Sequence, residues 1–205
     1  MINLTLALFV SLCSAALISS YLKDRYISKA LLAIALTALA VFAGFREIGI
    51  DQDSFGYLVY YNLDDGRMSL AAEPTFVTLA GISRTLSANN GFRLLLIAYA
   101  ILGITTKYLA IRKLSDQVWL CVITYFSYYF LLHEFTQIRA GVASGLVLIS
   151  VYYAYERNLK VFLGLIALAS IFHFSALVAL PIYFLRKNLT LAVKVVVALA
   201  IPAGL

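Results

Sequence analysis

Long apolar runs alternate with short polar interruptions along the chain. They fall at about 2–22, 28–45, 92–111, 118–132, 138–155 and 161–185, with a last one at 190–205. A helix rises about 1.5 Å per residue, so about 20 apolar residues cross the roughly 30 Å hydrocarbon layer of a bilayer. The pattern predicts an all-α fold, a polytopic transmembrane helical bundle of about 6–7 spans, as one integral membrane domain over 1–205. The run at 118–132 is short, and Gln117 and His133 would complete it at head-group level. The run at 161–185 is long and is interrupted by His173, Ser175 and Pro181. It is expected to tilt, kink or break at mid-depth, where protein or water must satisfy the freed backbone groups. Leu191–Leu205 reaches only about 22 Å as a helix, so 190–205 reads as an incomplete last span of a truncated chain or a fragment.

One region leaves this series. From Arg46 to Ala72 the chain is polar, with Glu47, Asp51, Asp53, Asp64 and Asp65 against Arg46 and Arg67. Residues 73–88 then place Phe76, Leu79, Ala80 and Leu86 on one helical side and Thr75, Thr78, Arg84 and Thr85 away from it. That predicts an amphipathic helix lying on the membrane surface within a loop over 46–91, with a short genuine span as the alternative.

Composition agrees with the pattern. Hydrophobic residues make up 63% and charged residues 13% of 205, against roughly 45–50% and about 25% in soluble domains. A soluble enzyme, a disordered tail and a disulfide-stapled module are excluded on this ground. The net charge of +6 fits cytoplasmic loops facing anionic lipid, and no nucleic-acid motif accompanies it. Cys13 and Cys121 lie inside apolar runs as packing residues, without partners at ligand spacing. Met1-Ile-Asn-Leu-Thr lacks the positive start of a cleavable signal peptide, so the first run reads as a retained span.

Charge placement bears on sidedness. With 73–88 outside the bilayer core, Lys23, Arg25, Lys29, Lys107, Arg112, Lys113, Arg157 and Lys160 fall inside, and Arg46, Arg67, Arg84, Arg93, Arg139, Arg186 and Lys187 fall outside. The spanning alternative gives the same totals, but only the first choice gathers five of these lysines inside. It puts the N-terminus, loop 46–91, residues 133–138 and the segment after 185 on the outer side.

Ionisable groups in or beside spans are costly unless solvated or paired, and so are candidates for function. Arg46, Asp51, Asp53, Tyr57, Tyr60 and Tyr61 follow the second run. A guanidinium fork suits phosphate oxygens, a carboxylate can take a hydroxyl proton or hold a cation, and tyrosine rings can stack on sugars. The alternative is an anchor belt with Arg46 paired to Glu47 or Asp51. His133, Glu134, Gln137 and Arg139 form a second group; His133 and Gln137 share a face at i,i+4 if the helix has begun there. Its alternative is a snorkelling arginine at a helix end. His133 and Glu134 lack metal-ligand spacing, and no metal site is expected. His173, inside an apolar run, could transfer a proton or be satisfied by a neighbouring helix. Walker, Rossmann, nucleophile-elbow, HExxH and CxxC patterns are absent, and no cofactor is expected.

Taken in order, Gly44-Phe45-Arg46, Gly49-x-Asp51, Tyr57, Glu73-Pro74, Gln137-Ile138-Arg139-x-x-x-Ala143 and His173-Phe174-Ser175-Ala176-Leu177 resemble the EpsG family, which is related to Wzy-type O-antigen and capsular polysaccharide polymerases. The resemblance covers about 44–187. It implies a multi-pass protein of the bacterial inner membrane that polymerises oligosaccharide repeat units carried on undecaprenyl diphosphate, with its site on the outer side. It also implies that Arg46 and Arg139 bind the diphosphate and that Asp51 or His173 is catalytic; Asp53, Tyr57 and Gln137 are the candidate sugar-binding residues beside them. The expected partners are the lipid-linked oligosaccharide, the bilayer and other assembly proteins such as a chain-length regulator, with no nucleic acid. A transporter or channel for an anionic lipid or sugar, or a non-catalytic fragment or subunit, is the alternative.

Overall fold

The computed structural model describes residues 2–63, 67 and 72–185. Asp64, Asp65, Arg186, Lys187 and the run at 190–205 lie outside the described residues. The described residues are helical, without strands: α1 (Ile2–Leu22), α2 (Arg25–Gly44), α3 (Ser54–Asn62), α4 (Pro74–Leu86), α5 (Gly91–Leu114), α6 (Val118–Tyr125), a π-helix (Phe126–Thr136) continuing α6, α7 (Ile138–Tyr155), α8 (Leu159–Phe172) and a 3-10 helix (Phe174–Phe184). Asn3–Leu22, Arg25–Gly44, Gly91–Leu114, Val118–Thr136 and Ile138–Tyr155 are long and apolar enough to cross a membrane. The fold is a polytopic helical bundle.

Very short links force sequential helices to run antiparallel. Between α1 and α2, Asp24 accepts the N–H groups of Tyr26 at 2.7 Å and Ile27 at 3.0 Å, an N-cap that starts α2 at once. Below that turn the Trp119 indole N–H reaches the hydroxyls of Ser19 (3.0 Å) and Ser28 (3.2 Å), fixing the start of α6 against α1 and α2. One end of the bundle therefore carries the links at 23–24, 115–117 and 156–158. The other carries 45–53, Gln137 and His173. Gly44 allows α2 to approach α5 closely, since a Cβ there would collide with Ile97.

Three sequence expectations change. The first concerns 161–185. The chain breaks at His173, as its polar interruptions suggest, but it then turns back rather than crossing. Phe162 meets Tyr183 at 5.3 Å between ring centroids, and the Arg157 guanidinium donates to the carbonyls of Tyr183 (2.7 Å) and Leu185 (3.2 Å). Fourteen α-helical residues going up and eleven 3-10 residues coming down have matched lengths of about 21 and about 22 Å. Leu185 therefore returns to the end that holds Arg157, whereas a single crossing would put it at the opposite end. Each arm is too short to span, and the pair forms a re-entrant hairpin with His173 at its tip.

The second change concerns 73–88. Helix α4 has 13 residues, about 20 Å, too few for a span. One face of it packs on a neighbouring helix. Phe76 packs near Tyr99 (6.3 Å) and Ser83 lies against Gly91, so α4 runs antiparallel along the first turns of α5. Phe76, Ala80 and Ser83 form its buried face, while Leu86, placed on the apolar side from sequence, is exposed.

The third change concerns Lys107 and the following helix. Lys107 is buried in α5 with its ammonium 3.0 Å from Glu134, and so is not a loop cation to be counted for sidedness. The helix begun at Val118 does not stop near His133 but continues to Thr136 in π form. His133 therefore sits inside it, stacked on Tyr129 at 5.5 Å. Gln137 bonds back to the carbonyl of Leu132, five residues earlier, and then leaves helical geometry. The i,i+4 face expected for His133 and Gln137 is not made, and Gln137 is exposed.

Candidate active site

Helix α4 begins at Pro74, which fixes the first helical turn and leaves Glu73 as its N-cap. The Thr75 hydroxyl donates to the Ile171 carbonyl at 2.8 Å, docking this start onto the end of α8. Three elements meet there. The Glu73 carboxylate accepts from Arg139, in the first turn of α7, and its Oε1 lies 2.7 Å from Nδ1 of His173. Glu73 is buried, and the His173 side chain is 35% exposed. His173 is open to a ligand while its carboxylate partner is not.

Aromatic rings enclose Arg139. Its guanidinium lies 5.4 Å from the Tyr57 ring, 5.9 Å from Tyr60 and 5.8 Å from Phe76, placements that favour a cation. Burial raises the Tyr57 hydroxyl above its ordinary pKa, and the charge of Arg139 opposes that rise. Two buried polar atoms among the described residues of this cluster, Arg139 Nε and the Tyr99 hydroxyl, have no hydrogen-bond partner within 3.5 Å, the side chain of Thr75 being the neighbour of the Tyr99 hydroxyl. Buried donors without partners are rare and call for an explanation.

Arg46 belongs to a different arrangement. Its Nε is 3.2 Å from Asp51 Oδ2, Nη1 donates to the Ala43 carbonyl at 2.9 Å, and Nη2 donates to the Phe135 carbonyl at 2.8 Å. The Phe135 ring lies 5.3 Å from the guanidinium. Asp51 Oδ1 meanwhile accepts the N–H groups of Asp53 (3.1 Å) and Ser54 (2.7 Å). The cluster ties the loop after α2 to the end of the π-helix. Burial lowers the Arg46 pKa and Asp51 pulls it back up; Glu47, the other candidate partner, is exposed.

The predicted residues thus divide. Arg139 and His173 come together, joined by Glu73, and Tyr57 lies against Arg139. Arg46 and Asp51 pair with each other, Asp53 is the N-cap of α3 beside them, and Gln137 stands apart. Residues 29–205 match the profile of the EpsG family, a stretch that holds every one of these positions. The chain belongs to the EpsG family. Amylovoran biosynthesis protein AmsC of Erwinia amylovora is 24% identical over 185 residues, covering 84% of this chain and 48% of that protein. The chain therefore spans about half the length of the curated relative it matches. No solved structure matches it.

Two features of this EpsG chain escaped the sequence reading. Glu73 was visible as part of the Glu73-Pro74 motif but was given no role in the site. Lys107 and Glu134 form a second buried pair: Lys107 also donates to the Gly141 carbonyl (2.7 Å), and the Tyr125 hydroxyl donates to Glu134 at 2.6 Å. Twenty-seven residues separate Lys107 from Glu134, so local spacing carried no signal of the contact. A charge at the interior of a 24-residue helix whose other cations, Arg93, Arg112 and Lys113, stand near its ends was the available clue. Lys107, Tyr125, Tyr129, His133, Ser144 and Ser175 share the lining of a cavity of about 910 Å³ that is otherwise mostly apolar.

Proposed function

We propose that this protein is an inner-membrane polysaccharide repeat-unit polymerase, or a closely related glycosyltransferase, acting on undecaprenyl-diphosphate-linked oligosaccharides in exopolysaccharide, capsule or O-antigen assembly. Family membership and the name of AmsC support a role in polysaccharide biosynthesis. The observation that carries the chemistry is the joining of Arg139 and His173 beside two unpartnered donors. His173 Nε2 takes the proton of an acceptor sugar hydroxyl, and that oxygen bonds to the anomeric carbon of the donor. The bond from this carbon to the diphosphate oxygen breaks, and its electron pair stays on the diphosphate. Arg139 Nε faces the growing negative charge, where a preplaced donor acts most strongly. Arg46 and Asp51, paired with each other and bonded to backbone, hold the loop that leads into α3 and so to Tyr57. A chain-length regulator is the expected protein partner.

Replacing Arg139 with alanine, at unchanged protein level, should abolish long polymer on a gel; polymer of normal length would refute the assignment. A second reading, transport of an anionic lipid or sugar, draws on the cavity of about 910 Å³. Purified protein in vesicles separates the two, because flux without a new glycosidic bond supports transport alone.

A further inference from the structure

Glu73 occupies an N-cap position, where a carboxylate ordinarily accepts a first-turn backbone N–H. It makes no such bond here. Both oxygens turn instead to side chains on two other elements, Oε1 to His173 Nδ1 at 2.7 Å and Oε2 to Arg139. The register is fixed from both sides. Thr75 binds the Ile171 carbonyl two residues before His173, and His173 is held extended, φ −158°, between α8 and the 3-10 helix. A neutral imidazole carries one N–H, and the partner of one nitrogen decides which nitrogen holds it.

We propose that Glu73 is a positioning residue that holds His173 as the Nδ1–H tautomer, leaving the Nε2 lone pair free to accept a proton, while steadying Arg139 on the same carboxylate. This rests on the reading of His173 as the group that deprotonates the acceptor. Glu73 does not touch the reacting atoms. It acts as the carboxylate of a triad does, by fixing the orientation and tautomer of a histidine, and it places the proton acceptor and the anion-facing guanidinium at a set separation. A plain ion pair would require no particular tautomer, and loss of the carboxylate would leave the imidazole chemistry unchanged.

The test is nitrogen-15 NMR of the full-length protein, labelled at histidine, in lipid nanodiscs at mildly alkaline pH, where imidazole is ordinarily neutral. The chain has two histidines, and a His133→Asn variant assigns the remaining signals to His173. The expected spectrum shows one neutral tautomer with the proton on Nδ1. Glu73→Gln should shift population to the Nε2–H form, and Glu73→Asp should restore Nδ1–H. In the polymerisation assay Glu73→Gln should lose about 10²-fold, the low end of a general-base contribution, chiefly in kcat, with partial recovery in Glu73→Asp. Variants are compared only if their thermal unfolding matches wild type; Glu73→Ser serves if Glu73→Gln does not fold. An Nε2–H or doubly protonated His173 in wild type, or an unchanged tautomer on loss of the carboxylate, overturns the proposal. If even the wild-type chain makes no polymer, the functional reading fails, while the NMR result still decides the role of Glu73.

Discussion

Arg46 and Arg139 lie at the same end of the bundle, both under aromatic rings and both paired with a carboxylate, yet their donors are used differently. Every nitrogen of Arg46 meets a protein acceptor: Asp51, the Ala43 carbonyl and the Phe135 carbonyl. Its acceptors lie at the end of α2, on the link after it and on the π-helix, so the residue closes a loop onto two helices. Arg139 keeps Nε without a partner and shares its carboxylate with a histidine that is one-third exposed. A guanidinium with every nitrogen engaged reads as a structural pin. One with an unpartnered nitrogen beside a part-exposed imidazole is the candidate binding group. Charge alone, which sequence reports, does not separate the two; donor accounting does.

The sharpest way to break this comparison is to remove both cations in turn. Arg46→Ala leaves Asp51 buried without its cation, a loss of about 3–5 kcal/mol for a broken buried pair. Thermal unfolding in detergent should show it, along with a fall in membrane-inserted protein, and the Arg46→Ala/Asp51→Ala double variant should recover part of the loss. Wild-type stability with lost polymer would instead make Arg46 the ligand-binding cation that the family resemblance implies.

Arg139→Ala should behave in the opposite way. The loss of stability should be smaller than for Arg46→Ala, because Arg139 is more exposed than Arg46 and Glu73 keeps its bond to His173. Polymerisation should fall about 10²–10³-fold, the loss expected when one preplaced donor is removed from a developing anion. Single-turnover formation of the glycosidic bond measures it. A variant that aggregates before it can be assayed would place Arg139 with Arg46 among the pins.

The fold was largely legible in the sequence, because a span needs only length and apolarity and both are local. The break at His173 was legible too, from one histidine, one serine and one proline in an apolar run. Its return toward Arg157 was not, since that depends on backbone carbonyls at Tyr183 and Leu185 that any residue supplies. The site was half legible. Arg139 and His173 stand out as polar residues at apolar borders, but Glu73 joins them across 66 and 100 positions of chain. The π-helix was hidden for the same reason. Its winding places Glu134 beside Lys107 and removes the i,i+4 register that an α-helix would give His133 and Gln137.

The buried Lys107–Glu134 pair offers a smaller test on the structural side of the comparison. Glu134 lies directly against Gly103, and a Cβ there would collide with its carboxylate. Gly103→Ala should therefore displace the carboxylate and cost about 1–3 kcal/mol as overpacking, read as a lower unfolding temperature with the polymerisation rate per folded molecule unchanged. A rate that falls together with stability would tie this pair to the chemistry at Arg139.

The mildest change probes the other unpartnered donor. Tyr99 is fully buried, packs against Phe76 (6.3 Å) and Phe172 (6.3 Å), and its hydroxyl has no partner among the described residues. Removing an unsatisfied buried hydroxyl while keeping the ring relieves a desolvation penalty rather than breaking a bond, so Tyr99→Phe should unfold at or slightly above the wild-type temperature. If that hydroxyl donates to a ligand held by Arg139, the same variant should weaken binding of a diphosphate-headed lipid by no more than about tenfold, the range of one neutral hydrogen bond. Isothermal titration in nanodiscs, run beside the unfolding curve, separates the outcomes. Stability gained with affinity lost marks Tyr99 as part of the binding site. Stability gained at constant affinity leaves Arg139 Nε as the cluster's donor to the ligand, and a loss of stability shows that the hydroxyl is satisfied within the fold and belongs, like Arg46, to the scaffold.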